Sequence, residues 1–149
     1  MSQILARCGY RCDLCPAYHK NIHTQEDQKR VSDGWLKYVG DDVPPDEVPC
    51  PGCLAAEPYR DEQGRILRPP DPGCPVRPCV IERGLENCAY CEEFASCENL
   101  DSRMNFMEKR HADFSGIPKE DFNLFIRPYL SKERLLEIRK ALNNKEAQT

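Results

Sequence analysis

The chain has 149 residues, a formal net charge of -4 and a hydrophobic content of 40%. A length of this order corresponds to one domain, and the acidic balance argues against binding to the phosphate backbone of nucleic acid, which depends on Lys and Arg. No stretch approaches the roughly 18 apolar residues of a membrane-spanning helix, and no apolar signal-peptide core precedes Cys8. We therefore expect a cytoplasmic protein with neither a membrane nor a nucleic-acid partner.

The first predicted helix runs from Thr24 to Gly40. Thr24 and Asp27 form an imperfect capping box, Val31 and Trp35 recur at helical spacing, and Gly40 offers a C-terminal stop. The next residues, 41–53, are rich in proline, which excludes a continuous helix or a central strand. This region is predicted to be a loop that carries a pair of cysteines.

The middle of the chain offers little regular structure. Residues 54–68 contain one candidate hairpin, with its turn at residues 61–64. A short helix at residues 80–83 is predicted to end at Gly84. Few apolar residues are available there to build a core, so bound metal is expected to supply part of the folding free energy, about 10 kcal/mol or more per structural zinc.

The C-terminal third contains no cysteine and predicts three amphipathic helices, over residues 98–112, 118–126 and 132–142, with a frayed polar tail from Asn143. Its apolar side chains Phe122, Phe125, Ile126 and Tyr129 are expected in the core, and a partner-binding face is the alternative. The predicted fold class is mostly α with irregular, metal-stabilised loops, or a small α+β fold. Residues 1–100 would be a cysteine-rich metal-binding region and residues 101–149 a helical unit packed on it, in one compact domain.

Ten cysteines carry the candidate chemistry: Cys8, Cys12, Cys15, Cys50, Cys53, Cys74, Cys79, Cys88, Cys91 and Cys97. Two thiolates separated by two to four residues can bind one tetrahedral ion, and two such half-sites complete a structural zinc site. Four half-sites therefore predict two zinc centres. In a reducing compartment, clustered cysteines bind metal more often than they form disulfides. The spacings leave open which cysteines share a centre and which two are left over.

Other chemistries are weighed against zinc. The spacing of Cys8, Cys12 and Cys15 matches that of radical S-adenosylmethionine enzymes, but the chain does not alternate strands and helices as their barrel requires. An ordinary iron–sulfur cluster remains open at these residues. His19 and His23 are alternative ligands, but partly exposed positions after the cysteine turn are the favoured interpretation, because the cysteines already offer enough ligands. Phosphate loops and nucleophile elbows are absent from the sequence, which argues against an enzyme.

The spacing of the cysteines is also similar to that of a known family. Cys8-Gly-Tyr-Arg-Cys12-Asp-Leu-Cys15, Cys50-Pro-Gly-Cys53 and the run from Cys79 to Leu100 resemble domain-of-unknown-function family 3795 of bacteria and archaea. The resemblance covers residues 8–100 and implies a compact, cysteine-rich, zinc-binding cytoplasmic protein without an established reaction. We therefore expect a structural or scaffolding module that binds zinc and a protein partner, with an iron–sulfur electron-transfer protein as the alternative.

Overall fold

The protein is mostly helical. The structure, a computed structural model, describes the backbone of residues 2–147. The α-helices of this part of the chain are α1 (Gln25–Tyr38), α2 (Val76–Glu82), α3 (Glu98–Met104), α4 (Phe106–Arg110), α5 (Lys119–Asp121) and α6 (Lys132–Ala147). Strand pairing within residues 2–147 is limited to isolated bridges. The mostly-α prediction is therefore confirmed, and the small α+β alternative is not.

Helix α1 forms as the sequence predicts. The Thr24 hydroxyl accepts a hydrogen bond from the Asp27 backbone N–H at 3.1 Å, and the Asp27 carboxylate accepts one from the Thr24 N–H at 3.1 Å. This reciprocal capping box satisfies two of the N–H groups that the first turn leaves without partners. Gly40, with a φ of 87°, follows the helix and allows the left-handed conformation that ends it.

The two segments predicted as a hairpin and a short helix also form, with different limits. Arg60 and Ile66 form a single antiparallel bridge around the turn, in which Gly64 has a φ of 80°. Helix α2 begins at Val76, earlier than expected, and Gly84 follows its end with a φ of 69°. Pro78 is tolerated because it lies in the first turn of α2, where its missing N–H has no helical acceptor.

The predicted helix over residues 98–112 is instead two helices. Asn105, between α3 and α4, leaves the helical conformation, and its side-chain amide donates to Asp101 Oδ1 at 2.7 Å. Asn interrupts helices because its short polar side chain competes for local hydrogen bonds. The next predicted helix starts as α5 and continues as a π-helical turn, Phe122–Ile126, before Pro128 ends it in a 3-10 turn.

Helix α6 is longer than predicted. It continues past Leu142 to Ala147, so the prediction of a frayed tail is wrong for residues 143–147, and residues 148–149 lie outside the described residues. The polar residues after Leu142 include neither glycine nor proline, so no residue there stops the helix. None of the helices described is both long and apolar enough to cross a membrane.

The core joins the N-terminal loop to the C-terminal helices. One cluster of buried side chains packs Cys8, Cys88 and Val80 with Leu100 and Leu135. Gly9 lies so close to α6 that an added Cβ would stand 2.7 Å from Leu135 Cγ. A second cluster contains Phe125, Ile126 and Tyr129 with Tyr38 and Met107, and Phe122 packs against it. These C-terminal side chains therefore belong to the core, as expected, and do not form a free partner-binding face.

Candidate functional site

All ten cysteines are free thiols. The structure brings eight of them into two sets. The first set, called here the core-side cluster, consists of Cys12, Cys15, Cys50 and Cys53. The second set, called the pocket cluster, consists of Cys79, Cys88, Cys91 and Cys97.

Backbone pairing between two distant segments assembles the core-side cluster. The Cys50 N–H donates to the Ala17 carbonyl at 2.8 Å, and the His19 N–H donates to the Cys50 carbonyl at 2.9 Å. The Cys53 N–H donates to Cys12 Sγ at 3.4 Å. Burial raises the pKa of Cys12 to about 12, and the neighbouring thiols of Cys15, Cys53 and Cys50 add to the shift. The four thiols are therefore electrostatic neighbours.

Backbone N–H groups donate to the sulfurs of this cluster, and two arginines act on it through their charge. The Gly52 N–H donates to Cys50 Sγ at 3.4 Å from a turn in which Gly52 has a φ of 93°. The Arg7 N–H donates to Cys53 Sγ, also at 3.4 Å. Burial raises the pKa of Cys50, while Arg68 and then the Gly52 N–H and Arg77 act in the opposite direction. Donors and cations around a thiol favour its thiolate form, which is the form that binds metal.

Cys15 has a hydroxyl donor from the far end of the chain. Its Sγ lies 3.1 Å from the Tyr129 hydroxyl, which accepts a hydrogen bond from Trp35 Nε1 at 2.9 Å. Since an indole N–H can only donate, the Tyr129 oxygen is the acceptor there, and its own proton is free to donate to the sulfur. Burial raises the pKa of Cys15 to about 11, and the hydrogen bond from Tyr129 acts against that shift.

The cysteines of the pocket cluster lie on or beside α2, a 3-10 turn and the start of α3. Cys79 lies on α2, Cys88 begins the 3-10 turn Cys88–Tyr90, Cys91 follows that turn, and Cys97 caps α3 by accepting from the Leu100 N–H at 3.4 Å. All four line one pocket of about 160 Å³. Burial raises the pKa of Cys88 to about 12, and its neighbours Cys97, Cys91 and Cys79 raise it further.

An arginine lies beside the pocket cluster. Arg83 Nη1 donates to Cys91 Sγ at 3.4 Å, and its Nη2 forms a 2.6 Å ion pair with Glu93. The guanidinium therefore contacts a sulfur and a carboxylate at the same time.

Cys8 and Cys74 lie between the two clusters. Cys8 is 5% exposed and packs in the core. Burial raises its pKa, and Cys53 and Cys74 contribute to the increase. Cys74 is also among the thiols that raise the pKa of Cys88. These two thiols thus connect the clusters, and a buried neutral thiol such as Cys8 packs as a small apolar side chain.

The histidines do not join the thiols. His19 lies in the 3-10 turn His19–Asn21, whereas His23 lies beyond it, so the two do not share a helical face. His111 Nε2 is 2.8 Å from the Tyr38 carbonyl. Among the described residues, no three His, Cys, Asp or Glu side chains are arranged to hold a metal ion as they stand. The clusters are therefore sets of neighbouring thiols and not preformed coordination shells.

Sequence reasoning missed the contacts of Tyr129 and Arg83 with the thiols. Tyr129 is separated from Cys15 by 114 positions, and no local pattern marks such a contact. Arg83 lies eight positions from Cys91, and its position in a cysteine-rich segment was the available signal.

The family comparison agrees with the cysteine pattern. A family model described as a protein of unknown function, DUF3795, matches residues 4–102. The chain belongs to this family. The matched range includes both clusters together with Cys8 and Cys74, so the cysteines of this DUF3795 protein all lie in its family region. No curated protein and no solved structure matches the chain.

Proposed function

We propose that this DUF3795 protein is a zinc-binding structural module in which the core-side cluster and the pocket cluster each bind one zinc ion. The observation that carries the proposal is the pocket lined by Cys79, Cys88, Cys91 and Cys97. A closed structural zinc site takes four ligands of this type in a tetrahedral shell. The core-side cluster, in which the Cys50–Cys53 turn lies beside Cys12 and Cys15, also has four thiols and would supply the ligands of the second zinc ion.

Rotation of thiol side chains would convert each cluster into a ligand shell. Cysteine side chains move between staggered rotamers by turning about one bond, and thiols within each cluster are near enough to raise one another's pKa. N–H donors directed at Cys50, Cys53 and Cys97 would then bind the metal-bound thiolates. Such outer hydrogen bonds orient ligands and tune the metal.

Zinc would stabilise the segment that the apolar core supports least. Between residues 41 and 75, the buried apolar side chains are Val48 and two prolines, Pro51 and Pro70. Fixing a backbone costs roughly 1–2 kcal/mol per residue, and a structural zinc contributes on the order of 10 kcal/mol or more. The core-side zinc would join this segment to residues 12–15, and the pocket zinc would join α2 to the start of α3.

The proposed biological role is that of a scaffold for a protein partner. The net charge of -4, made more negative by zinc-bound thiolates, disfavours nucleic acid, because phosphate contacts require cations. Ile81 and Tyr90, in the segment that carries the pocket cluster, are 47% and 39% exposed and offer apolar area for such a partner.

Zinc counting on cysteine variants tests the proposal. Anaerobically purified protein should contain two zinc ions per chain, Cys53→Ser and Cys91→Ser should each lose one, and Cys74→Ser should keep both as the matched control. Protein without bound zinc would contradict the proposal. A brown protein that contains iron and sulfide would support the iron–sulfur alternative instead.

A further inference from the structure

The pocket cluster borders both a pocket and an exposed arginine. The core-side cluster lies against buried residues, including Ala17, Tyr18 and Tyr129. In this cluster, Cys15 Sγ lies within hydrogen-bond distance of the Tyr129 hydroxyl, and that hydroxyl accepts a hydrogen bond from Trp35 Nε1. The pocket cluster instead borders a pocket, and the residue in contact with Cys91 is Arg83, whose side chain is 45% exposed. The pocket and the exposed arginine give an acceptor molecule in solution a route to Cys91, whereas Cys88 in the same cluster is only 7% exposed.

Arg83 favours the free, metal-unbound thiolate of Cys91. Its guanidinium lies 3.4 Å from Cys91 Sγ. A positively charged donor stabilises a free thiolate, which bears a full charge, more than a thiolate that shares its charge with a metal. The contact therefore assists dissociation of Cys91 from the metal. Glu93, paired with the same guanidinium at 2.6 Å, competes with the sulfur for it and opposes this effect.

We infer that the pocket cluster is an exchange site for zinc or another thiophilic divalent ion, with Cys91 as the departing ligand and Arg83 as the positioning residue that holds its thiolate. This inference rests on the proposed function, because it concerns the metal assigned to the pocket cluster. In the exchange step, the metal–sulfur bond to Cys91 breaks and a bond to an incoming thiolate or chelator forms. No electron is transferred, and the Cys91 thiolate stays paired with Arg83.

Zinc release to the chromophoric chelator zincon tests the inference. The zinc-loaded protein, mixed with excess zincon in a stopped-flow spectrometer, should release one zinc quickly and one slowly. The fast phase should be absent from Cys91→Ser and the slow phase from Cys53→Ser. Arg83→Met keeps most of the bulk of the side chain but removes its charge, and it should slow the fast phase by about 1.5- to 5-fold, the range expected for an exposed ion pair.

Glu93→Gln should shift the rate of zinc release in the opposite direction, because Arg83 loses its carboxylate partner and can then interact more strongly with Cys91 Sγ. The fast phase should accelerate by a similar factor of about 1.5 to 5. Glu92→Gln removes the same charge from the adjacent exposed position and should leave the rate unchanged, as the matched control. If Arg83→Met loses zinc during purification, the comparison of Glu93→Gln with Glu92→Gln decides alone.

Opposite shifts in Arg83→Met and Glu93→Gln, with Glu92→Gln unchanged, would support the inference. A single release rate for both ions, shifts in the same direction, or equal effects of the two glutamate variants would overturn it. Those results leave the zinc content intact and so leave the proposed function standing. Parent protein that contains no zinc would instead overturn the proposed function, and the inference with it.

Discussion

Replacing Tyr129 with phenylalanine removes one hydroxyl and leaves the aromatic ring in place. That hydroxyl lies 3.1 Å from Cys15 Sγ and accepts from Trp35 Nε1 at 2.9 Å. The ring still packs against Tyr10, with ring centroids 5.3 Å apart, so the apolar contacts of the core change little. The substitution therefore isolates the hydrogen bonds that link α1, the Cys15 turn and the C-terminal core.

The expected effect has a structural part and a metal part. Without the hydroxyl, the Trp35 N–H loses its acceptor, and an unsatisfied buried donor costs about 1–3 kcal/mol. Because Trp35 is only partly buried, we expect a loss of about 1–2 kcal/mol in the free energy of unfolding. Cys15 also loses a donor, and loss of an outer hydrogen bond to a metal ligand lowers metal affinity by about 10- to 100-fold.

Urea unfolding of the zinc-loaded protein measures the two parts together, and competition with a chelator of known affinity measures the metal part alone. Tyr10→Phe is the matched control, since the hydroxyl it removes donates to the Arg103 carbonyl at 3.0 Å and not to a cysteine. It should lower stability without weakening zinc binding. Equal zinc affinities in Tyr129→Phe and the parent protein would refute the reasoning.

Two further predictions concern the whole fold. Complete removal of zinc by a chelator should unfold the segment from about residue 40 to residue 100 while helix persists in the C-terminal third. The reason is that the middle segment has little apolar area to offset its conformational entropy. Unchanged near-ultraviolet circular dichroism and unchanged protease resistance after chelation would contradict this prediction. Leu135 is fully buried beside Gly9, so Leu135→Ala should lower the free energy of unfolding by about 2–5 kcal/mol. The control is Leu136→Ala, at a side chain that is 39% exposed, which should change the free energy of unfolding by less than about 0.5 kcal/mol. Equal urea midpoints for the two variants would show that α6 does not support the Cys8 loop.

Local patterns predicted the parts of the fold that local interactions determine. The capping box at Thr24 and Asp27 and the stop at Gly40 lie within a few positions of one another, so the sequence alone identifies α1. The break at Asn105 and the π-helical turn before Arg127 depend on side-chain competition and on packing. Periodicity alone does not encode these, and it predicted continuous helices.

The assignment of the thiols to two clusters could not be predicted from the spacing of the cysteines in the sequence. Cys12 and Cys53 are 41 positions apart, and they meet because Cys50 pairs with the backbone beside Tyr18. The pocket cluster is nearly consecutive in sequence, yet Cys74 is closer to Cys79 along the chain than Cys91 is to Cys97. The pocket includes Cys79 and not Cys74 because Cys79 lies on α2, which packs against the core through Val76 and Val80.

X-ray absorption spectroscopy of anaerobically purified protein, combined with elemental analysis of the same sample, tests the central claim most directly. The account predicts two zinc ions per chain, each with four sulfur ligands at about 2.3 Å. Iron in place of zinc, or a zinc shell that contains nitrogen or oxygen in place of one or more sulfurs, would contradict it.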